Sequence, residues 1–236
     1  MLPENGIVFL IDKDLHWTSF DVVKKIRVAI REKKVGHAGT LDPLASGLVI
    51  VCAGKATKQI DSFMGAEKEY TGTFLLGQTR PSHDLETEPN AFFETAHITE
   101  EQLHQSAVSF LGPQMQMPPM FSALKVNGKK LYELARQGKE IEVQPRHIEI
   151  KEFEITAIRM PEIDFRVVVS KGTYIRSLAF DFGKSLESGA CLSALRRTRI
   201  GEWKIEQSDT IASWLEKWQN GAFGNMEESI PTQEQI

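Results

Sequence analysis

The chain has 236 residues, 41% hydrophobic and 25% charged, with a net charge of −4. That composition excludes a disordered or low-complexity protein, and a chain of this length buries about 70–75% of its unfolded surface without staples. Its two cysteines, Cys52 and Cys191, sit among apolar neighbours as reduced core thiols do, which excludes a disulfide scaffold, and no Cys/His cluster has zinc spacing, so no metal is expected.

The N-terminus, MLPENGIVFLIDKD, lacks a basic region and a cleavage site, so no signal peptide is expected. Residues 6–12 read as a short buried strand. Thr18 or Ser19 can cap a helix with Asp21 in its first turn; Val22, Val23, Ile26, Ala29 and Ile30 follow at helical spacing, and the helix should end near Lys34. Residues 35–47, with three glycines and a proline, read as a loop, and residues 48–53 as a buried strand. This apolar run is the longest in the chain and falls far short of the ~20 residues of a membrane helix, so a soluble, cytoplasmic protein is expected. Residues 56–64 predict a helix and 68–77 a strand. Residues 78–90 are polar with two prolines and predict a surface loop.

Residues 98–111 predict another helix, and 113–119 an extended, proline-bounded segment. Asn127-Gly128 suggests a hairpin turn, followed by a helix closed by Gly138. Residues 146–158 and 163–170 alternate as paired strands do; a helix over 174–186, a strand over 192–204 and a helix over 209–218 complete the chain. The expectation is one α+β domain over residues 1–236, a mixed, mostly antiparallel central sheet flanked by helices, with 117–148 as an appendage.

Charge is unevenly spread. Residues 22–58 carry +6, 117–148 carry +3 and 166–204 carry +5, leaving −18 elsewhere. Three basic segments can converge on one face and bind a polyanion, although segment charge also varies by chance. Within the first window lies Gly36-His37-Ala38-Gly39-Thr40-Leu41-Asp42-Pro43. Its glycines permit close approach of a ligand, and Pro43 restricts Asp42 to extended conformations. A carboxylate so fixed can be a nucleophile toward a sugar or a base carbon; a turn-forming Asp-Pro is the simpler local reading. His37 serves equally as a turn residue or a ligand contact. The segment Ser170-Lys171-Gly172-Thr173-Tyr174-Ile175-Arg176 falls at a strand-to-helix junction. It suits phosphate and base contacts, or a hydroxyl-capped helix with Tyr174 in the core. Phe121, Lys125, Lys129, Lys130, Tyr132, Arg136 and Arg146 interleave aromatics with cations, as a nucleic-acid surface or an ordinary solvated helix does.

Taken together, GHAGTLDPLASGLVIVCAGKATK, KEYTGTFLLG, MPPMFSALKVNGKKLYELARQG and VSKGTYIRSLAFDFG…LSALRRTRIG, in that order, resemble the TruB family of tRNA pseudouridine synthases. The resemblance runs from about Gly6 to Ser208. It implies isomerisation of uridine 55 in the T-loop of tRNA to pseudouridine, with no cofactor and no metal. By that resemblance Asp42 is the nucleophile, His37 contacts the T-loop, and Tyr70 of the K-x-Y strand stacks on the target base. Tyr174 and Arg176 are the pair of KGTYIR, and Leu195 lines the uracil pocket. Arg176 is the cation expected to favour ionised Asp42. Lys13, Lys125, Arg136, Arg146 and Lys171 are candidate RNA contacts. Residues 117–148 match the family's thumb-like insertion, expected to be mobile without RNA and to close over it.

The chain departs from the family pattern at Asp12-Lys13-Asp14, where Asp-Lys-Pro is usual, and at Thr79-Arg80-Pro81-Ser82-His83-Asp84, where a Thr-Asp-rich run is usual. RNA contacts from the second loop therefore do not carry over. About 30 residues follow the last match, too few for the C-terminal PUA domain of many members, so a short form is expected. The expected partner is the T-arm of tRNA, with no membrane, for a monomer. The alternatives are a sibling synthase acting on another RNA, or an RNA-binding or RNA-folding module without turnover.

Overall fold

A computed structural model describes residues 2–122, 124–126, 129–131 and 143–222. The chain folds as two compact units, one of Met1–Ala66 with Thr198–Ile236 and the other of Glu67–Arg197.

The first unit begins with β1 (Ile7–Lys13), whose odd-numbered residues turn inward. Helix α1 (Ser19–Ile30) starts at a capping box: the Asp21 amide donates to the Thr18 hydroxyl, and the Thr18 amide donates to the Asp21 carboxylate. Its buried stripe is Val22, Val23 and Ile26, as the spacing predicts. The helix stops at Arg31, which adopts φ 54, before the end expected near Lys34. The cause lies just downstream. Residues expected to be loop form β2 (Val35–His37), which pairs antiparallel with β3 (Ser46–Ala53) and sets His37 opposite Val51. β3 also pairs antiparallel with β1 from Gly47 to Ala53, and successive residues Leu48 to Ala53 are all buried, so both faces of the strand are covered, which is why it reads as an unbroken apolar run. A 3₁₀ turn (Gly54–Gln59) and the short α2 (Ile60–Gly65) replace the single helix expected over 56–64.

The second unit opens with β4 (Lys68–Leu76), then the short pair β5 (Gln78–Thr79) and β6 (Ala91–Phe92), then α3 (Glu100–Ser109). β7 (Gly112–Gln116) follows, and the two-residue strands β8 (Lys125–Val126) and β9 (Lys129–Lys130) pair antiparallel. The helix expected to end at Gly138 lies outside the described residues. β10 (Arg146–Arg159) and β11 (Glu162–Val169) form the predicted hairpin, and the sheet runs β4-β11-β10-β7, antiparallel throughout. Helix α4 (Ile175–Ser185) packs Phe182 against Phe74, and Phe74 stacks on Phe165 at 4.1 Å. β4 and β12 (Ala190–Ile200) approach so closely that a Cβ at Gly72 would collide with the Ala194 carbonyl and the Phe165 ring.

β12 carries the chain back to the first unit, where β13 (Trp203–Lys204) pairs with it. β14 (Asp209–Thr210) lies parallel to β1, where the sequence suggested helix. Thr210 then caps α5 (Ile211–Gln219), whose Trp214 meets Phe9 edge-on at 5.0 Å. Both cysteines are buried free thiols, and burial pushes Cys52 up to about 12. The expected class, a mostly antiparallel sheet flanked by helices, is the fold observed.

Candidate active site

In the first unit, the main chain holds the loop that bears Asp42. The Ala38 amide donates to the Ile50 carbonyl at 2.9 Å, and Gly39 at φ 97 turns the chain off β2. Ser19, the first residue of α1, has a hydroxyl that accepts from the Leu41 amide at 2.9 Å and donates to the Leu41 carbonyl at 3.3 Å. On the other side, the His16 amide donates to the Pro43 carbonyl at 2.7 Å. The residues before and after Asp42 are thus tied to the entrance of α1. The Ala45 amide closes the turn onto the Asp42 carbonyl. Asp42 is half-buried, and its backbone lies in the turn that the Asp-Pro pair predicts.

Lys13 takes a different place from the RNA contact expected of it. Its side chain is buried, and its ammonium donates to the carbonyls of Asp14 (2.9 Å), Trp17 (2.7 Å) and Ala45 (2.5 Å). Three charge-assisted hydrogen bonds to backbone leave it no donor for phosphate, so its role here is to clamp the Asp42 loop onto the entrance of α1. His37 ends β2, half-buried.

In the second unit, Arg176 lies in the first turn of α4. Its Nε is 3.6 Å from an Asp84 carboxylate oxygen, and both side chains are nearly sealed from solvent, 5% and 7% exposed. The same guanidinium donates to the Ser82 carbonyl at 3.1 Å. The segment expected to be a surface loop is therefore partly core, with Ser82 and Asp84 buried. Hydrogen bonds from Arg80 to the Thr87 carbonyl and between the Ser82 and Thr87 hydroxyls brace it, and the Leu192 amide of β12 donates to the His83 carbonyl. His83 adopts φ 61 and stacks flat on Phe180 of α4, with centroids 4.4 Å apart. Burial, and secondarily the Arg176 charge, push its imidazole down to about 4, so it is neutral at physiological pH.

Gln116 of β7 sets the start of α4. Its side-chain oxygen accepts from the Tyr174 amide at 2.8 Å, and its side-chain nitrogen donates to the Tyr174 carbonyl at 3.1 Å. The hydroxyl cap suggested by the sequence is absent there, because Thr173 turns back to the Ser170 carbonyl. The Arg146 guanidinium lies 5.7 Å from the centre of the Tyr174 ring, and Lys171 is exposed at the turn before α4. Lys68 begins β4 buried. Burial, with Arg197 and Lys171 nearby, pushes its ammonium down to about 8. Tyr70 on β4 and Leu195 on β12 are both buried. Lys125 falls in β8, and Arg136 lies outside the described residues. Sequence reasoning missed Asp84, His83 and Gln116: the Asp84 loop departs from the family pattern, and a capping glutamine 58 residues upstream leaves no local signal.

The sequence profile of the TruB family pseudouridylate synthase N-terminal domain matches residues 27–175. The tRNA pseudouridine synthase B of Flavobacterium johnsoniae is 52% identical over 229 residues, covering 93% of this chain and 100% of that protein. That of Chloroherpeton thalassium is 51% identical over 218 residues, covering 90% of each. Among solved structures, a chain of a Cbf5-Nop10-Gar1 complex superimposes with a TM-score of 0.73 at 30% identity, covering 95% of this chain and 57% of that one. This chain belongs to the TruB family of pseudouridylate synthases.

Proposed function

We propose that this chain isomerises uridine 55 in the T-loop of tRNA to pseudouridine, with Asp42 as nucleophile. The observation that carries this reading is Asp42 at the position of the family's GHxGxLDP motif, on a loop whose flanking residues are tied to the entrance of α1, in a chain 52% identical to a tRNA pseudouridine synthase B. The reaction breaks the bond between uracil N1 and ribose C1′ and joins C5 to C1′. N1 gains a proton, C5 loses one, and no group departs. One nucleophile that holds a fragment while the base turns is sufficient. Attack of Asp42 at C6, attack at C1′ and a glycal-type elimination all satisfy that balance.

The target must leave its stack first, which costs a few kcal/mol. Tyr70 offsets part of this by stacking on the base, worth ~1–3 kcal/mol. Leu195 lines the uracil pocket, His37 contacts the T-loop, and Arg176 supplies the positive charge that favours ionised Asp42. Asp84 and His83 act through Arg176, holding its side chain in a defined place. Arg146, Tyr174 and Lys171 contact phosphates and bases, joined by Lys125 and Arg136 from the insertion. In this reading residues 1–236 are a single catalytic domain, and the insertion 117–148, partly outside the described residues, closes over bound RNA. The chain acts as a monomer on cytoplasmic tRNA; no helix among the described residues is long and apolar enough to cross a membrane.

Tritium release from tRNA transcripts labelled at uracil C5 tests the reading. Wild type releases tritium, and a transcript lacking the T-loop releases none. Asp42→Asn lowers release by at least about 10³-fold while still binding tRNA, as loss of a nucleophile does. No release by wild type defeats the enzyme, and release without the T-loop defeats the substrate.

A further inference from the structure

Helix α1 carries a feature that the mechanism does not use. A groove of about 420 Å³ on the first unit is lined by His16, Trp17, Asp21, Lys24, Lys25 and Val28. Lys24 and Lys25 are exposed, and Val28, one turn beyond Lys24, is 71% exposed. Phe20 and Leu15 are exposed nearby in the chain. The lone acid among the lining residues, Asp21, is engaged by the amide and hydroxyl of Thr18, and these bonds, with a smaller contribution from the Lys24 charge, hold its carboxyl below the ordinary range. What remains is a pair of ammonium groups, an imidazole and a half-buried indole. Cations beside an aromatic face fit a phosphate backbone and the base or ribose it carries, whereas an apolar protein partner would desolvate two ammonium groups with Asp21 as the one acid among the lining residues.

The groove is also joined to the Asp42 loop. His16 lines it and donates to the Pro43 carbonyl, and Ser19, between Trp17 and Asp21, holds Leu41. The groove and the Asp42 loop thus share the entrance of α1. We propose that this groove is a second RNA-binding surface, taking the sugar-phosphate backbone of the substrate tRNA on Lys24 and Lys25 and stacking a base or ribose on Trp17. The proposal rests on the tRNA reading above.

The test uses the full chain and a tRNA transcript. Lys24→Glu/Lys25→Glu raises KM for tRNA by about tenfold or more at ~0.1 M salt, reduces the log–log salt slope by about 2, and changes kcat less than twofold. Independently, tRNA quenches the fluorescence of Trp17, so Trp17→Phe loses part of the quench while its affinity, kept by a ring that still stacks, stays within about threefold of wild type. An unchanged KM and salt slope in the lysine variant, or a full quench in Trp17→Phe, overturns the surface while tritium release by wild type leaves the enzyme reading standing. Absence of release by wild type defeats that reading instead. Unaltered tRNA binding with loss of a co-purifying acidic protein assigns the groove to a protein and overturns the proposal.

Discussion

The segments around Asp42 and Arg176 solve the same problem, holding one charged group still, by opposite means. Around Asp42 the work falls to backbone hydrogen bonds, a serine hydroxyl and a buried ammonium bonded to three carbonyls. Around Arg176 the work falls to a buried carboxylate, a carbonyl and a loop seated by an imidazole stacked on Phe180. The first arrangement is indifferent to moderate acid, and the second is not. The two halves of the candidate machinery should therefore fail under different insults, and four substitutions separate them.

The largest effect belongs to Asp84→Asn. Arg176 keeps its charge and loses its buried counter-charge, which costs about 3–5 kcal/mol when a buried pair is broken from one side. Urea unfolding of wild type and variant at pH 7 measures it, and tritium release should fall as well. A cost under about 1 kcal/mol, the range of exposed pairs, would mean that solvent reaches the guanidinium. Lys13→Met is the counterpart on the Asp42 side. It leaves the Asp14, Trp17 and Ala45 carbonyls without their shared donor and should cost about 3 kcal/mol, on the scale of buried polar groups left unsatisfied. If Lys13 touched phosphate instead, the same variant would raise KM and leave the urea midpoint alone.

The pH comparison sharpens the contrast. The His83 imidazole sits at about 4 in the folded chain against an ordinary 6.5. A depressed histidine pKa means the unfolded chain binds the extra proton first. Stability is then intact above pH 6.5 and declines as pH falls from 6.5 toward 4, where the loss levels off. At pH 5.5 the penalty is about 1.4 kcal/mol. His83→Asn keeps a residue that tolerates the left-handed backbone and removes the titration. The difference between wild type and variant in unfolding free energy, taken from urea titrations, should shift by about 1.2 kcal/mol between pH 7 and 5.5. A constant difference across the range would show that His83 is not buried as a neutral ring.

What was legible in the sequence follows the same division. The Asp42 loop is encoded locally: the glycines, the Asp-Pro and the Thr18 and Ser19 cap lie within 25 residues, and the helical and strand periodicities around them set the fold class. β2 was missed because three residues, one of them glycine, carry no period; their strand character comes from the open edge of β3. The Arg176 side is encoded at a distance. Asp84 lies 92 residues before Arg176, in a polar stretch with two prolines whose composition says only surface, and nothing in that stretch announces that Ser82 and Asp84 are buried. Lys13 was misjudged for a related reason. A lysine in a family motif of an RNA-modifying enzyme suggests phosphate, and only the folded backbone shows the three carbonyls that it bonds.

The smallest effect tests whether α1 itself positions the Asp42 loop. Thr18→Ala removes the acceptor for the Asp21 amide and the hydroxyl that donates to the Asp21 carboxylate, and loss of such a cap costs ~1 kcal/mol. Ser19, the next residue, holds Leu41 on both its amide and carbonyl. Fraying of the first turn should therefore reach the loop. We expect a fall of ~1 kcal/mol in stability accompanied by a drop in kcat, with KM for tRNA nearly constant. Thr18→Ser, which keeps the hydroxyl, should restore both. Loss of stability with kcat unchanged would show that the loop is held by the Lys13 clamp and the His16–Pro43 bond alone, and that the helix entrance supports the fold without tuning the nucleophile.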